Sequence, residues 1–469
     1  MNTHIYNNMR KTVSRAACCC LLLVSGLLVS CSDYLETKTF GKKLPKSNDD
    51  YEQLLANQLR NLENNNDTYF GSCQLVSQWE SYSDNTNASL KSAAQATYLP
   101  DYVGANIGAT QYRIQNLYGR IKDHNIILGN LPEPDTEKGR LLTATCHAMR
   151  GALYFYAMRE CCEAYDPSRI SEILGLPIVD EFNIEGQPAR SSLQQTIDFI
   201  VGDLQQAIDM NVEDDKYVFN VDVARAFLAR TYFWGQQWQQ AIDQAKMLLE
   251  KFPLLSGDDY LNMLKDQTGK SGNTIFRTYR TGAATYYNNA LTHSKKRPVD
   301  VKLVNLFAEK GRDIRYTFSF NKNLQNQKPL VLRIRSAEMC LIIAESYAHL
   351  GNNAEALKYL NMLREHRISN YEPLTEATLP AVDRSALIQQ DATGQPLTPL
   401  MQAILNERRK ELYMEGDRWF ELKRNGGPEF WAGYNGVKYV TEHYLYTYPF
   451  SIRDIRINPA IRQNPGYPD

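Results

Sequence analysis

Apolar residues return at helical spacing over most of this 469-residue chain, and that period confines it to a mainly α-helical fold. Arg140 to Ala164 reads as one long helix, with Leu141, Leu142, Met149, Leu153, Phe155 and Tyr156 along it. Ser191 or Ser192 offers a capping hydroxyl for the next, whose apolar stripe is Ile197, Ile200, Val201, Leu204 and Ile208. Val223 to Trp234 and Trp238 to Lys251 form a pair around Gly235, and Ser336 to Leu350 and Ala354 to His366 form another around Gly351. The two pairs are related: Ala229, Tyr232, Ala241, Met247 and Leu248 recur 115 positions later as Ala344, Tyr347, Ala356, Met362 and Leu363. The turn glycines miss that offset by one residue.

The layout is similar to a tetratricopeptide repeat, in which small alanines let two helices approach and a glycine makes the turn. The repeats are not tandem, so a simple solenoid is excluded. Insertions rich in Asn, Thr, Ser, Gly and Tyr separate them, at Asp67 to Asp101, Leu254 to Val299 and Ser369 to Thr398. Loops on a rigid scaffold are where binding residues concentrate.

The N-terminus carries an address. Arg10, Lys11 and Arg15 precede an apolar run from Ala16 to Val29, shorter than the ~20 residues a bilayer span needs. Leu28-Val29-Ser30-Cys31 follows and resembles the lipobox of bacterial lipoproteins, which implies a signal peptide over 1–30 and a lipid on Cys31. Ser32 after the cysteine points to the outer membrane, and Asp33 and Glu36 resemble a surface-export signal. No later run reaches spanning length. With 52 basic and 53 acidic residues there is no electrostatic case for nucleic acid. Cys73, Cys146, Cys161, Cys162 and Cys340 remain after the anchor, an odd set without a disulfide framework.

Five collinear stretches resemble the SusD/RagB family of nutrient-binding lipoproteins. They are Cys31-Ser-Asp-Tyr-Leu-Glu36, His147 to Tyr156 (followed by Gly175 to Val179 and Arg190-Ser-Ser192), Ala224 to Tyr232, Arg335 to Glu345, and Asn406 to Arg424. The chain also ends like the family, with Asn458-Pro459 and Gln463-Asn-Pro-Gly-Tyr467. One departure, Cys161-Cys-Glu-Ala-Tyr165-Asp-Pro where the family often reads Leu-Tyr-Gly, is read as local packing. The resemblance implies a single SusD-like domain over 31–469, with four tetratricopeptide-like helix pairs as scaffold, at about 102–251 and 335–367, and a loop-rich half for the ligand. It further implies a SusC-like TonB-dependent transporter as partner, a glycan (or, as in some RagB-like relatives, a peptide) as cargo, and no enzymatic activity.

Glu407, Glu411 and Glu415 lie four apart on one helical face, and paired carboxylates can do glycosidase chemistry. Like charges at that spacing repel, so the expected role is an ion network with Arg408, Arg409, Lys410 and Arg418 that anchors the C-terminal region. The seven histidines are scattered and no nucleophile or phosphate-loop motif is present. The first choice for a sugar site is Trp79, Tyr82, Asp84 and Asn85, since an indole face suits sugar C–H groups and acids and amides bond hydroxyls. Tyr286, Tyr287 and Asn288 come next, with Tyr279 and Arg280 beside them. The competing role for all of these is packing of loops onto the scaffold. No cofactor is expected apart from the lipid on Cys31. Asp209 to Asp215 offers oxygen ligands for calcium without the ordered spacing of a dedicated site.

Overall fold

The structure is a computed structural model that describes residues 45–63, 70, 73–86, 113–266, 273–277, 292, 294–295, 298–330, 332–434 and 437–468. Residues 47–469 belong to one unit, and Cys31 and the signal segment lie outside the described residues. In chain order the elements are α1 (Asn48–Glu63), α2 (Cys73–Tyr82), α3 (Arg113–Asn130), α4 (Glu137–Cys161), β1 (Leu174–Pro177), β2 (Arg190–Ser192), α5 (Leu193–Asp209), α6 (Val221–Trp234) and α7 (Trp238–Lys251). Then come α8 (Gly257–Lys265), β3 (Thr274–Arg277), α9 (Val301–Asn305), α10 (Ile314–Ser319), β4 (Arg333–Arg335), α11 (Ser336–His349), α12 (Asn353–Glu365), α13 (Pro399–Glu411), α14 (Arg418–Arg424), β5 (Phe430–Tyr434), β6 (Val437–Thr441) and α15 (Ile452–Ile457). Among the described residues six strands form three antiparallel pairs, β1 with β2, β3 with β4 and β5 with β6.

Helices α3 to α7 and then α11, α12 and α13 pack in succession, each against the next. This is the mainly helical scaffold the periodicity predicts, extended by α13. The helix starts are set by side-chain oxygens that take otherwise unpaired amides. Thr136 accepts from Gly139 N, Asn220 from Val223 N, Asn352 from Glu355 N, and Thr398 from Met401 N with Pro399 in the first turn. Of the two candidate serines before α5, Ser192 is the cap and completes a capping box with Gln195, while Ser191 donates to Leu176 O.

The one-residue slip of the turn glycines resolves at the backbone. Gly351 has φ +75°, but in the first pair the left-handed residue is Gln236, at φ +55°, and 236 to 351 restores the 115-residue offset. A non-glycine residue in that region is uncommon and is held by its surroundings. The Gln236 side chain does this, donating from Nε2 to Tyr165 O at 3.3 Å and Ala392 O at 2.7 Å.

Two of the expected insertions hold regular structure: α2 lies in the first, and α8 and β3 in the second. Cys73, Cys146, Cys161, Cys162 and Cys340 are all buried. Cys340 Sγ donates to Tyr359 O at 3.2 Å, in keeping with small buried hydrophobes.

The helix expected to carry all three glutamates ends at Glu411: Glu407 and Glu411 lie on α13, whereas Glu415 lies in the turn after it, beyond Met414 at φ +60°, and all three meet cations. Glu407 is bound by Arg315 at 2.6 Å, Arg364 at 2.7 Å and Lys410 at 2.8 Å. Glu411 is bound by Arg315 and Arg367, each at 3.0 Å, and by Arg335. Glu415 takes Lys328 at 2.6 Å and Arg335 at 2.9 Å. All of these side chains are buried. Burial alone would raise the three carboxyls, but the opposing charges outweigh it and hold each below its ordinary range. Of the cations the sequence suggested, only Lys410 serves these glutamates. Arg408 pairs with Asp417 at 2.6 Å, and Arg409 and Arg418 pair with Asp84 at 3.2 and 2.7 Å. Sequence neighbours on a helix point away from their own face, so distant arginines close the network. The packing gives these glutamates no open face toward a substrate.

Removing one partner from a buried ion cluster leaves charge uncompensated, so Glu411→Gln is expected to cost ~3–5 kcal/mol in urea unfolding. Carboxyls lowered in the folded state stabilise it above their unfolded value and lose that contribution on protonation. Stability should therefore fall as pH drops below ~4.3, the ordinary glutamate value. A level profile from about pH 5 to pH 2 would contradict this reading.

Candidate functional site

The structure places the first-choice sugar segment inside the molecule. Trp79 and Tyr82 are each only 1% exposed, and Asn85 is fully buried. The Trp79 ring meets Phe420 edge-on with centroids 5.1 Å apart, and Tyr82 meets Trp419 at 5.5 Å. Asp84 binds Arg418 and Arg409, while Asn85 Oδ1 accepts from Arg409 Nε at 2.9 Å and its Nδ2 donates to Glu80 Oε2 at 2.8 Å. Glu80 also accepts from Gly416 N, and burial pushes its carboxyl up to about 7. The four residues thus fasten α2 to α13 and α14. In this arrangement no indole face is open for stacking, and the sugar-site expectation for Trp79, Tyr82, Asp84 and Asn85 gives way to a packing role. Aromatics flanked by acids and amides make a buried lock as readily as a sugar site.

Tyr286, Tyr287 and Asn288, with Tyr279 and Arg280, lie outside the described residues. Trp238 packs the repeat turn, stacked on His349 at 4.1 Å and edge-on to Phe233 at 5.8 Å. In the 209–215 loop, Asp209 accepts from Gln205, Asp214 from Lys216 N, and Asp215 faces Arg277 at 3.5 Å. Among the described residues no group of three His, Cys, Asp or Glu side chains is placed to hold a metal ion.

An open cleft of about 420 Å³ lies where the C-terminal end of α4 meets two loops and the α14–β5 turn. One lip is the segment after α4, Glu163 to Arg169, in which Asp166 accepts from Ser168 N and Oγ at 2.9 and 2.6 Å. That segment contains the departure from the family pattern that sequence reasoning assigned to local packing. The facing lip is Gln390 to Gly394, where Asp391 Oδ1 accepts from Thr393 N, Thr393 Oγ1 and Gln395 N. Gln236 holds the two lips in place through its bonds to Tyr165 O and Ala392 O.

The floor depends on Gly426 and Gly427, at φ +93° and +53°, where only glycine is comfortable. A Cβ at Gly426 would meet Gln390 Nε2 at 2.4 Å, and one at Gly427 would meet His443 Nδ1 at 2.7 Å. Tyr446 stacks on Trp419 at 4.3 Å beneath them. Lys423 is buried at the base, its Nζ donating to Arg159 O at 2.8 Å and Glu160 O at 3.4 Å, at the negative end of the α4 dipole. Burial lowers its amine to about 8. Carboxylates, hydroxyls, an amide and the rings of Tyr165 and His443 thus share a space of the size that holds small ligands. The sequence signals were a turn sequence, Asp391-Ala-Thr-Gly394, and the Gly426-Gly427-Pro428 break, neither of which carries ligand chemistry on its face.

If Trp79 packs rather than binds, Trp79→Ala should cost ~3–5 kcal/mol in denaturant unfolding, as large core deletions do. Unchanged stability would return the residue to the surface of a ligand site.

Residues 227–467 match the family model described as "SusD family", and residues 33–233 match one described as "Starch-binding associating with outer membrane". A SusD-like protein from Formosa agariphila is 33% identical over 138 residues, which span 29% of this chain and 24% of that protein. Among solved structures, a SusD superfamily protein from Bacteroides vulgatus superposes with TM-score 0.71 at 20% identity, over 91% of this chain and all of that one. A SusD-like carbohydrate binding protein from the same species gives 0.66 at 18% identity, over 89% and 98% of the two chains. A SusD superfamily protein from Bacteroides thetaiotaomicron gives 0.67 at 20% identity, over 90% and 100%. The structural likenesses speak for the fold, and the sequence match over more than half of the chain decides the family: the chain belongs to the SusD family.

Proposed function

We propose that the protein captures a glycan at the surface of the outer membrane, anchored by a lipid on Cys31, and passes it unaltered to a SusC-like TonB-dependent transporter. The single observation that carries the ligand reading is the polar cleft between Tyr165, Asp391 and His443, within a fold whose family model is described as starch-binding and outer-membrane-associated. Its carboxylates and amide suit hydroxyl groups, and its rings suit sugar C–H faces. Tyr286, Tyr287 and Asn288 are proposed as further ligand contacts. Attachment through a lipid is supported by the lipobox-like Leu28-Val29-Ser30-Cys31.

Calorimetry of the protein against plant, host and microbial glycans and a peptide digest tests this reading. Saturable glycan binding is expected, with no product after overnight incubation. Tyr165→Ala and His443→Ala should each weaken it about tenfold or more, ~1.4 kcal/mol, without lowering the melting temperature. Binding of peptides alone, release of product, or glycan binding untouched by both variants would overturn it.

A further inference from the structure

A second, smaller cavity lies deep in the scaffold, away from the glutamate face of α13. It has room for one water-sized particle, about 10 Å³. Four guanidiniums and three carboxylates line it: Arg159 of α4, Arg230 of α6, Arg408 of α13 and Arg424 of α14, against Glu338, Asp417 and Glu421. The four arginines are at least nine-tenths buried.

Each of the four arginines keeps a nitrogen without a partner: Arg230 spends Nε and Nη2 on Glu338, at 2.8 and 2.6 Å, and its Nη1 is unpaired. Arg408 spends Nε and Nη2 on Asp417, at 2.8 and 2.6 Å, and its Nη1 is unpaired. Arg424 gives Nη2 to Glu345 at 2.6 Å, and its Nη1 is unpaired. Arg159 has unpaired Nε and Nη2, and its guanidinium lies over the Phe420 ring at 3.7 Å. Burial lowers Arg159 to about 10. The one unpaired oxygen on the lining is Glu421 Oε1, on a carboxyl that burial pushes up and whose other oxygen accepts from Arg418 Nη1 at 2.9 Å.

Buried charged donors without acceptors cost more than neutral ones. Hydrogen-bond donors here converge from four helices, α4, α6, α13 and α14, with an excess of positive charge on the lining. Water would satisfy two donors and bring two hydrogens of its own to a wall that has little to accept them. A monoatomic anion accepts from every side. We propose that this cavity is a binding site for one halide-sized anion, chloride in physiological salt, held by Arg159, Arg230, Arg408 and Arg424. The ion would offset the repulsion among these guanidiniums and join the repeat scaffold to the C-terminal helices.

Bromide is the probe. Crystals of the protein soaked in sodium bromide, with diffraction recorded at the bromine edge, should show an anomalous peak in the cavity beside the four guanidiniums. In solution, the melting temperature should rise with chloride by roughly 1–2 °C per tenfold increase once the site fills. Methanesulfonate, too large for the cavity, should give no such rise at equal ionic strength. A water-sized density without anomalous signal, bromide peaks confined to the surface, or identical melting in the two salts would overturn the proposal.

Discussion

Three buried carboxylates, Glu407 and Glu411 on α13 and Glu415 in the turn that follows it, are the constraint on which the rest of the structure depends. Left alone, Glu407, Glu411 and Glu415 would repel one another and could not be buried. Their partners come from α10, the loop before β4, β4 itself and the end of α12, so burying α13 requires those elements to be in place together. Arg367 is also held over the Tyr260 ring at 3.8 Å, which brings α8 into the same assembly. The apolar side of the region then packs Leu412, Tyr413, Trp419 and Phe420 into the core. A buried ion cluster of this kind adds less to stability than apolar packing of the same volume would, but it admits few alternative arrangements.

The same logic accounts for what was and was not legible in the sequence. Helix periodicity is a local property, and the long helix read as Arg140–Ala164 appears as Glu137–Cys161, with the two related pairs within a residue or two of their expected bounds. The network was legible in its acidic half and, among its cations, in Lys410. Which cations meet a glutamate is decided by chain segments as much as 96 residues away, as for Arg315 and Glu411, and no local pattern records that. Trp79, Tyr82, Asp84 and Asn85 were read as a ligand surface because their chemistry is the same whether the partner is a sugar or Arg409 and Arg418. The cleft was missed for the opposite reason. Its lips are ordinary turns, and they become a site only because Gln236, in a left-handed turn on the far side of the chain, ties Tyr165 and Ala392 together.

Scaffold and site are therefore linked through few bonds. The cleft sits at the carbonyl end of α4, closed at its base by Lys423 from α14, so its shape depends on the position of the C-terminal helices against the repeats. Those helices are positioned by the buried charges. On the proposed reading, sequence changes in the cleft lips, such as the Glu163 to Pro167 stretch, would alter what is bound while the charged interior keeps the frame.

The central claim is that buried charge makes the repeat scaffold and the C-terminal region one cooperative unit. Native-state hydrogen exchange measures this directly, amide by amide. The account predicts that the interior amides of α11 and α13 exchange with the same opening free energy at neutral pH and lose protection together as the pH is brought below about 4. Exchange of α13 and α14 at a distinctly lower free energy, with α11 still protected, would show that the C-terminal region opens on its own and would contradict the claim.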